Sequence, residues 1–361
     1  MSDAGPDVKW MLQSGMGLQW EWCLAHLSNA ATKMACGLVN SKKDSKNPDM
    51  TDMVDRVCKT VRQVRDTEVM GDLFEALCEM EGAGRANRLL DYKSHRFLGL
   101  TNVIRRILDR WSELTHWFAS RTKKAVEEKK PPKPFLLEDN RLDLIQLLSL
   151  LDPITELNKK SQAASCSQVD TLLHLYKLRM QTLNEMRPLR DYRSTHAFPA
   201  HFTTTELAPM IVKTRALLAA AFDKNFFSRY MDRSKLRQQP FVFEMQLLLF
   251  PTFKNLDANL AVVTRVCYAQ RDTNVENCRR MGDLVRDAVI NRARSIMVTM
   301  AADEPVPTVD VDQSFGFSDE IVEMFGALTT PQLPDDVREG QIEEEIQRWR
   351  AEPAALMRNE D

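Results

Sequence analysis

Leu144-Ile145-Gln146-Leu147-Leu148-Ser149-Leu150-Leu151-Asp152-Pro153-Ile154-Thr155-Glu156-Leu157 sets large aliphatic side chains at 144, 147, 148, 151, 154 and 157. Steps of three and four bring successive side chains onto one face of a 3.6-residue helix. The stretch therefore predicts an amphipathic helix, kinked at Pro153, whose ring removes one N–H from the ladder. The same period runs outward in both directions. Upstream it gives Met53, Val54, Val57, Val61 and Val64, then Ile104, Ile107, Leu108, Trp111 and Leu114. Downstream it gives Val169, Leu172, Leu173, Tyr176, Met180 and Leu183. It returns in Leu207, Met210, Ile211, Leu217, Leu218, Ala221 and Phe222, behind Thr204, Thr205 and Glu206 as capping residues. Residues 241–266 and 275–300 complete the set. Such helices joined by short loops read as a bundle, and their stripes as its core and not a cofactor site.

Composition agrees with a mainly α protein. Gly is scarce, at 12 residues in 361, and strand periods are hard to find. Hydrophobic residues make up 43% and charged residues 28%, an ordinary globular balance. There is no internal repeat. The first residues carry no apolar signal-peptide core, and no apolar run approaches a membrane span, so no membrane partner is expected. The cysteines number 7, an odd count that reads as reduced thiols in an intracellular protein.

The net charge of -2 conceals an asymmetry. Residues 302–361 hold 16 Asp/Glu and 4 Lys/Arg, a net of -12, which leaves +10 on the rest. The most basic stretch is 85–133, with 13 Lys/Arg against 5 Asp/Glu. It ends in Lys129-Lys130-Pro131-Pro132-Lys133-Pro134, a stiff linker. A basic body with an acidic tail points to a polyanion partner with a self-screening tail, or to a tail that only solubilises. Residues 301–334, rich in Pro and acids without a period, read as a disordered linker; Asp335 to Trp349 reads as one last helix.

At the N-terminus, Asp3-Ala4-Gly5-Pro6-Asp7 reads as a turn into a helix with Val8, Met11 and Leu12 on its face. Trp20-Glu21-Trp22-Cys23-Leu24 reads as a short strand. Ser28 or Asn29 would then cap a helix from Ala30 to Cys36 that Gly37 ends.

These N-terminal residues carry a family resemblance. Asp3-Ala4-Gly5-Pro6-Asp7-Val8-Lys9, then Trp22-Cys23-Leu24-Ala25-His26-Leu27-Ser28-Asn29-Ala30 and Lys33, is similar to hAT-family transposases. Ser94-His95-Arg96-Phe97 matches the family's Thr-Arg-Trp-type motif. Leu249-Phe250-Pro251-Thr252-Phe253-Lys254 matches its Leu-Asp-Pro-Arg-Phe-Lys-like motif. The motif order holds over roughly residues 1–300. The resemblance implies an RNase H-like α/β remnant over 1–100, a helical insertion domain over 101–300, a linker over 301–334, and the start of a dimerisation segment over 335–361. In the intact family an Asp, Asp, Glu triad holds Mg²⁺ for DNA strand cleavage and transfer. On this match the first Asp would lie upstream of Met1, Asp3 takes the second place, and no counterpart of the Glu motif follows residue 300. The BED-type zinc finger has no counterpart either. The resemblance therefore implies an inactive, nuclear, transposase-derived protein that binds DNA weakly and without sequence preference, or binds protein, and that can form a homo-oligomer. A truncated piece of a Mg-dependent transposase and a pure interaction scaffold are the alternatives. No cofactor is expected for this chain itself.

Each candidate residue has two readings. Asp3 is a remnant metal ligand or a helix cap. Cys23 and His26 form one Cys-x-x-His pair; a zinc site needs about four ligands, so the pair is read as structural. Arg96 and Phe97 stand where the family stacks an aromatic on a flipped base, and Phe97 is otherwise plain core. Arg105, Arg106, Arg110, Lys123 and Lys124 contact phosphates, or form a solvated face partly paired with Asp109 and Glu113.

Overall fold

Helix dominates the chain, as the periodicity predicts. The computed structural model describes residues 6–16, 21–38, 44–65, 97–164, 167–195, 197–271, 274–303 and 335–353. They form two compact units, Met1–Met231 and Asp232–Asp361.

The first unit contains α1 (Pro6–Trp10), α2 (Leu24–Ala35), α3 (Pro48–Arg65), α4 (Phe97–Asp109), α5 (Trp111–Glu127), α6 (Arg141–Ser161), α7 (Gln168–Lys177) and α8 (Pro209–Asn225). A two-residue ribbon, β1 (Leu189–Arg190) antiparallel to β2 (His201–Phe202), lies between α7 and α8 in sequence. The centre is α6, which packs against α2, α4, α7 and α8. Its leucines from Leu144 to Leu157 are buried, and Gln146, Ser149, Thr155 and Asn158 are buried with them, because neighbours cover this part of the helix on nearly every side.

Those buried polar groups are engaged. The Asn158 amide donates to the Ala25 carbonyl and to the Ser28 hydroxyl, each at 2.9 Å. Gln146 donates to the Glu206 carbonyl at 2.8 Å and accepts the Ala208 N–H at 2.9 Å. Thr155 meets Thr101 of α4 at 2.9 Å. Each bond satisfies a group whose unpaired burial would cost roughly 1–3 kcal/mol, so α6 fixes the register of its neighbours.

The stretch read as a strand is not one. Among the described residues, Trp22 occupies a single bridge position, and helix begins at Leu24. Leu24, Leu27, Ala31 and Ala35 bury a helical stripe against α6 and α8, which overrides the alternation of Trp20, Trp22 and Leu24. Ser28 is no cap; it sits inside α2 and donates to the Ala25 carbonyl at 3.0 Å. The helix end is as expected. Gly37 has φ 66°, its N–H reaches the Met34 carbonyl at 3.2 Å, and the Leu38 N–H reaches Lys33 at 2.9 Å, a Schellman closure. A Cβ on Gly37 would collide with the Ser45 and Thr51 hydroxyls. Gly37→Ala should therefore lower stability by at least the ~1–2 kcal/mol of a left-handed non-glycine residue. Urea denaturation checks this, and an unchanged midpoint would contradict it.

The second unit contains α9 (Val242–Leu248), α10 (Asp257–Arg271), α11 (Val275–Asp303) and α12 (Asp335–Ala351). The segment 241–266, expected as one helix, is broken by a turn over 249–256 that contains Pro251 and ends with Leu256 at φ 60°. That turn holds α12. Buried Lys254 donates to the carbonyls of Trp349 and Glu352, and its ammonium lies 5.0 Å from the Trp349 ring. The Trp349 indole donates to the Leu248 carbonyl at 2.9 Å. A lysine at a helix C-terminus satisfies carbonyls that have no helical partner and meets the negative end of the dipole. Most of the segment read as a disordered linker, residues 304–334, lies outside the described residues, as do Leu73, Phe74, Leu77 and Cys78. No described helix is long and apolar enough to cross a membrane.

Candidate nucleic-acid interface

From residue 97 onward the basic stretch folds as α4, α5 and a return loop. An aromatic cluster fixes the loop. Phe135 stacks on Phe118 with ring centres 4.7 Å apart and planes at 12°, and it lies 5.3 Å from Trp111. Trp111 and Phe118 are seven residues apart on α5, two helical turns, so both present to the same side. The Pro131-Pro132-Lys133-Pro134 segment must therefore run back along the end of α5.

At that end the chain turns sharply. The Lys129 N–H donates to Val126 at 3.1 Å and the Lys130 N–H to Ala125 at 2.8 Å, the same closure that Gly37 makes. Here the left-handed position holds a lysine, at φ 55°. Lys123, Lys124, Lys129, Lys130 and Lys133 are all exposed around this turn. Among the described residues Glu128 lies 2.9 Å from Lys130 and 3.9 Å from Lys124, and Glu127 is exposed beside it. The hydrogen bond and charge of Lys130, with the charge of Lys124, hold the Glu128 carboxyl below its ordinary range.

The structure sorts the basic residues singled out in the sequence. Arg105 pairs with Asp152 of α6. Arg110 meets Glu113 at 3.1 Å, with both side chains largely covered. Arg121 lies 5.0 Å over the Trp117 ring and donates to the Gln63 carbonyl of α3 at 3.3 Å. Burial pulls its pKa down. Arg105 and Arg121 thus join α4 and α5 to the rest of the unit, while Arg110 pairs locally at the junction between them. Arg106 is half-buried and Lys123 exposed, and neither has an ion-pair partner among the described residues.

Phe97 opens α4. Arg96 and Asp3 lie outside the described residues. Cys23 is the N-cap residue of α2 and His26 is exposed in its first turn. Among the described residues no group of three or more His, Cys, Asp or Glu side chains is placed to hold a metal ion. The described residues thus do not fit a two-metal carboxylate centre. Cys23, Cys36, Cys58, Cys267 and Cys278 form no disulfide. Burial pushes the Cys36 thiol up to about 12, so it is inert.

Two features escaped the sequence reading. Lys133 reads in the sequence only as linker, yet Phe135 returning to Phe118 and Trp111 brings its segment back to the lysine turn. Phe198, 80% exposed in the loop between β1 and β2, offers an open ring face in a segment that also carries Arg190, Arg193 and His201. No local period marks it. The chain matches no protein-family model, no curated protein and no solved structure.

Proposed function

We propose that this chain is a transposase-derived protein that binds nucleic acid through its phosphates, without reading sequence and without cutting. The observation that carries the binding is the lysine turn at the end of α5. It presents five exposed ammonium groups beside two exposed carboxylates, Glu127 and Glu128. The order of the N-terminal, Arg96-Phe97 and Leu249–Lys254 motifs supports the origin, and with it an RNase H-like remnant over 1–100, a disordered acidic linker over 301–334, self-association and a nuclear location.

Lys129 adds support of a second kind. A glycine fits its backbone conformation, and a lysine there costs about 1 kcal/mol. Conformational strain of this kind gathers at functional sites. Lys129→Gly should raise stability by up to about 1 kcal/mol while weakening DNA binding. A variant that gains stability with unchanged affinity would place the turn outside the interface.

Titration of labelled duplexes of unrelated sequence at several salt concentrations tests the proposal. Binding at low salt that falls steeply with salt and ignores sequence is expected. No binding at low salt favours the interaction scaffold. Mg²⁺- or Mn²⁺-dependent nicking, abolished by Asp3→Ala, would show a transposase fragment with catalytic capacity.

A further inference from the structure

A cavity of about 540 Å³ in the first unit lies between α6, the end of α7 and the β1–β2 ribbon. Its size falls within the roughly 300–1,000 Å³ of small-molecule sites. Lys177, Arg187 and Arg190 line it together with two imidazoles, His174 and His201. Glu156 is the acidic residue on the same wall. None of the three cations has a carboxylate partner among the described residues; Arg190 donates to the Ser194 carbonyl at 3.3 Å. With the imidazoles neutral, the wall carries a net charge of +2, from three cations and one carboxylate.

Two further features narrow the ligand. Pro153, Leu178 and Leu189 give the cavity an apolar floor. Pro153 also lies inside α6 and has no N–H for the Ser149 carbonyl four residues earlier. Ser149 and Pro153 both line the cavity, so the carbonyl that Pro153 leaves without its helical donor belongs to a wall residue, itself 2% exposed. Glu156 is a second acceptor. The fitting ligand combines a dianionic phosphate, an apolar planar body and hydroxyl or amine donors.

We infer that this cavity binds a nucleoside monophosphate. The phosphate lies among Lys177, Arg187 and Arg190, the base rests on Pro153 and Leu178, and donors of the nucleoside meet Glu156 and the Ser149 carbonyl. A simple carboxylate would leave one unit of the wall's charge unmatched, and a sugar phosphate would leave the apolar floor uncovered. This inference does not depend on the lysine turn of α5.

Calorimetric titration of the full chain with adenosine 5'-monophosphate tests it, with adenosine and inorganic phosphate as truncated probes. The monophosphate should bind about tenfold or more tighter than either fragment. Lys177→Glu with Arg187→Glu, both exposed and so tolerant of change, should weaken it by about tenfold or more with an unchanged helical spectrum. Pro153→Ala, which returns an N–H to the Ser149 carbonyl, should weaken the monophosphate and leave inorganic phosphate unaffected. Lys59→Glu, outside both the cavity and the lysine turn, should have no effect. Competition by a 5'-phosphorylated oligonucleotide would assign the phosphate to a strand end, and its failure to compete would assign it to the free nucleotide. Absence of binding, or equal binding to the doubly reversed variant, overturns the proposal. Equal affinity for adenosine overturns the phosphate site, and equal affinity for inorganic phosphate overturns the nucleoside assignment.

Discussion

Asp223→Ala is expected to lower the stability of the first unit by about 3–5 kcal/mol, because it strands a buried guanidinium. Arg179, in the helical turn that follows α7, donates to both Asp223 oxygens, through Nε at 2.7 Å and Nη2 at 2.9 Å. The side chains are only 5% and 12% exposed. Removing the carboxylate leaves the charge without compensation in a weakly polar interior, and its one remaining acceptor is the Leu183 carbonyl at 3.5 Å. The same seam holds Arg215 of α8, which donates to the Thr182 carbonyl at 2.6 Å and the Gln181 carbonyl at 3.3 Å. Together the two arginines fasten the end of α7 to α8. Against a typical total of about 5–15 kcal/mol, the loss is a large share. Replacing both partners with apolar residues, Arg179→Met with Asp223→Leu, should be far milder, since no charge is then left unpaired. Urea denaturation followed by tryptophan fluorescence resolves the effect, because Trp111 and Trp117 report on the first unit and Trp349 on the second. A loss below about 1 kcal/mol would mean that the pair is solvated.

The parts legible in the sequence are those where one period is strong and long. Leu144 to Leu157 reads correctly because its leucines recur over four turns and α6 is indeed central. Shorter signals lose to their surroundings. Trp20 to Leu24 has aromatic residues in alternation, but Leu24, Leu27 and Ala31 have a place to be buried only as a helix. Thr204 and Thr205, read as caps, cap no helix; Glu206 instead accepts the Thr203 N–H at 2.7 Å and closes a turn. Helix nevertheless starts at Pro209, whose fixed φ suits the first helical position and whose ring keeps the preceding residue out of it.

Charge is legible in amount and not in use. The pairing of Arg110 with Glu113, three residues on, follows from helix geometry and is visible locally. Arg105 finds Asp152 forty-seven residues away, which only the packing of α4 on α6 can arrange. The grouping of Lys133 with Lys129 and Lys130 depends in turn on Phe135 returning to Phe118. The cavity beside α7 has no local signature because its walls come from α6, the end of α7 and the ribbon, which are joined only by the fold.

Charge reversal at the end of α5 should almost abolish DNA binding and its salt dependence. Contact with about four phosphates gives a log–log slope near -3.6 on B-DNA, so raising salt fourfold weakens binding about 150-fold. Lys123→Glu, Lys129→Glu, Lys130→Glu and Lys133→Glu together should bring that slope close to zero. Reversing Arg105 and Arg110 should do less to the slope and more to stability, since their charges already face Asp152 and Glu113. Glu128→Gln should act in the opposite sense. It frees Lys130 and Lys124 from a carboxylate that stays ionised at neutral pH, so affinity should rise and the slope steepen by up to about 1. The acidic tail sets a further term, but deleting residues 302–361 would also remove α12, which Lys254 holds in place. Neutralising Glu304, Asp310, Asp312, Asp319, Glu320 and Glu323 leaves α12 intact and tests screening alone. Tighter binding at low salt, converging with the unmodified chain at high salt, is expected if these acids compete with phosphate for the lysines. If the four lysine reversals leave both affinity and slope unchanged while the arginine reversals remove them, phosphate binding lies on α4, and the turn at Lys129 is only a helix end.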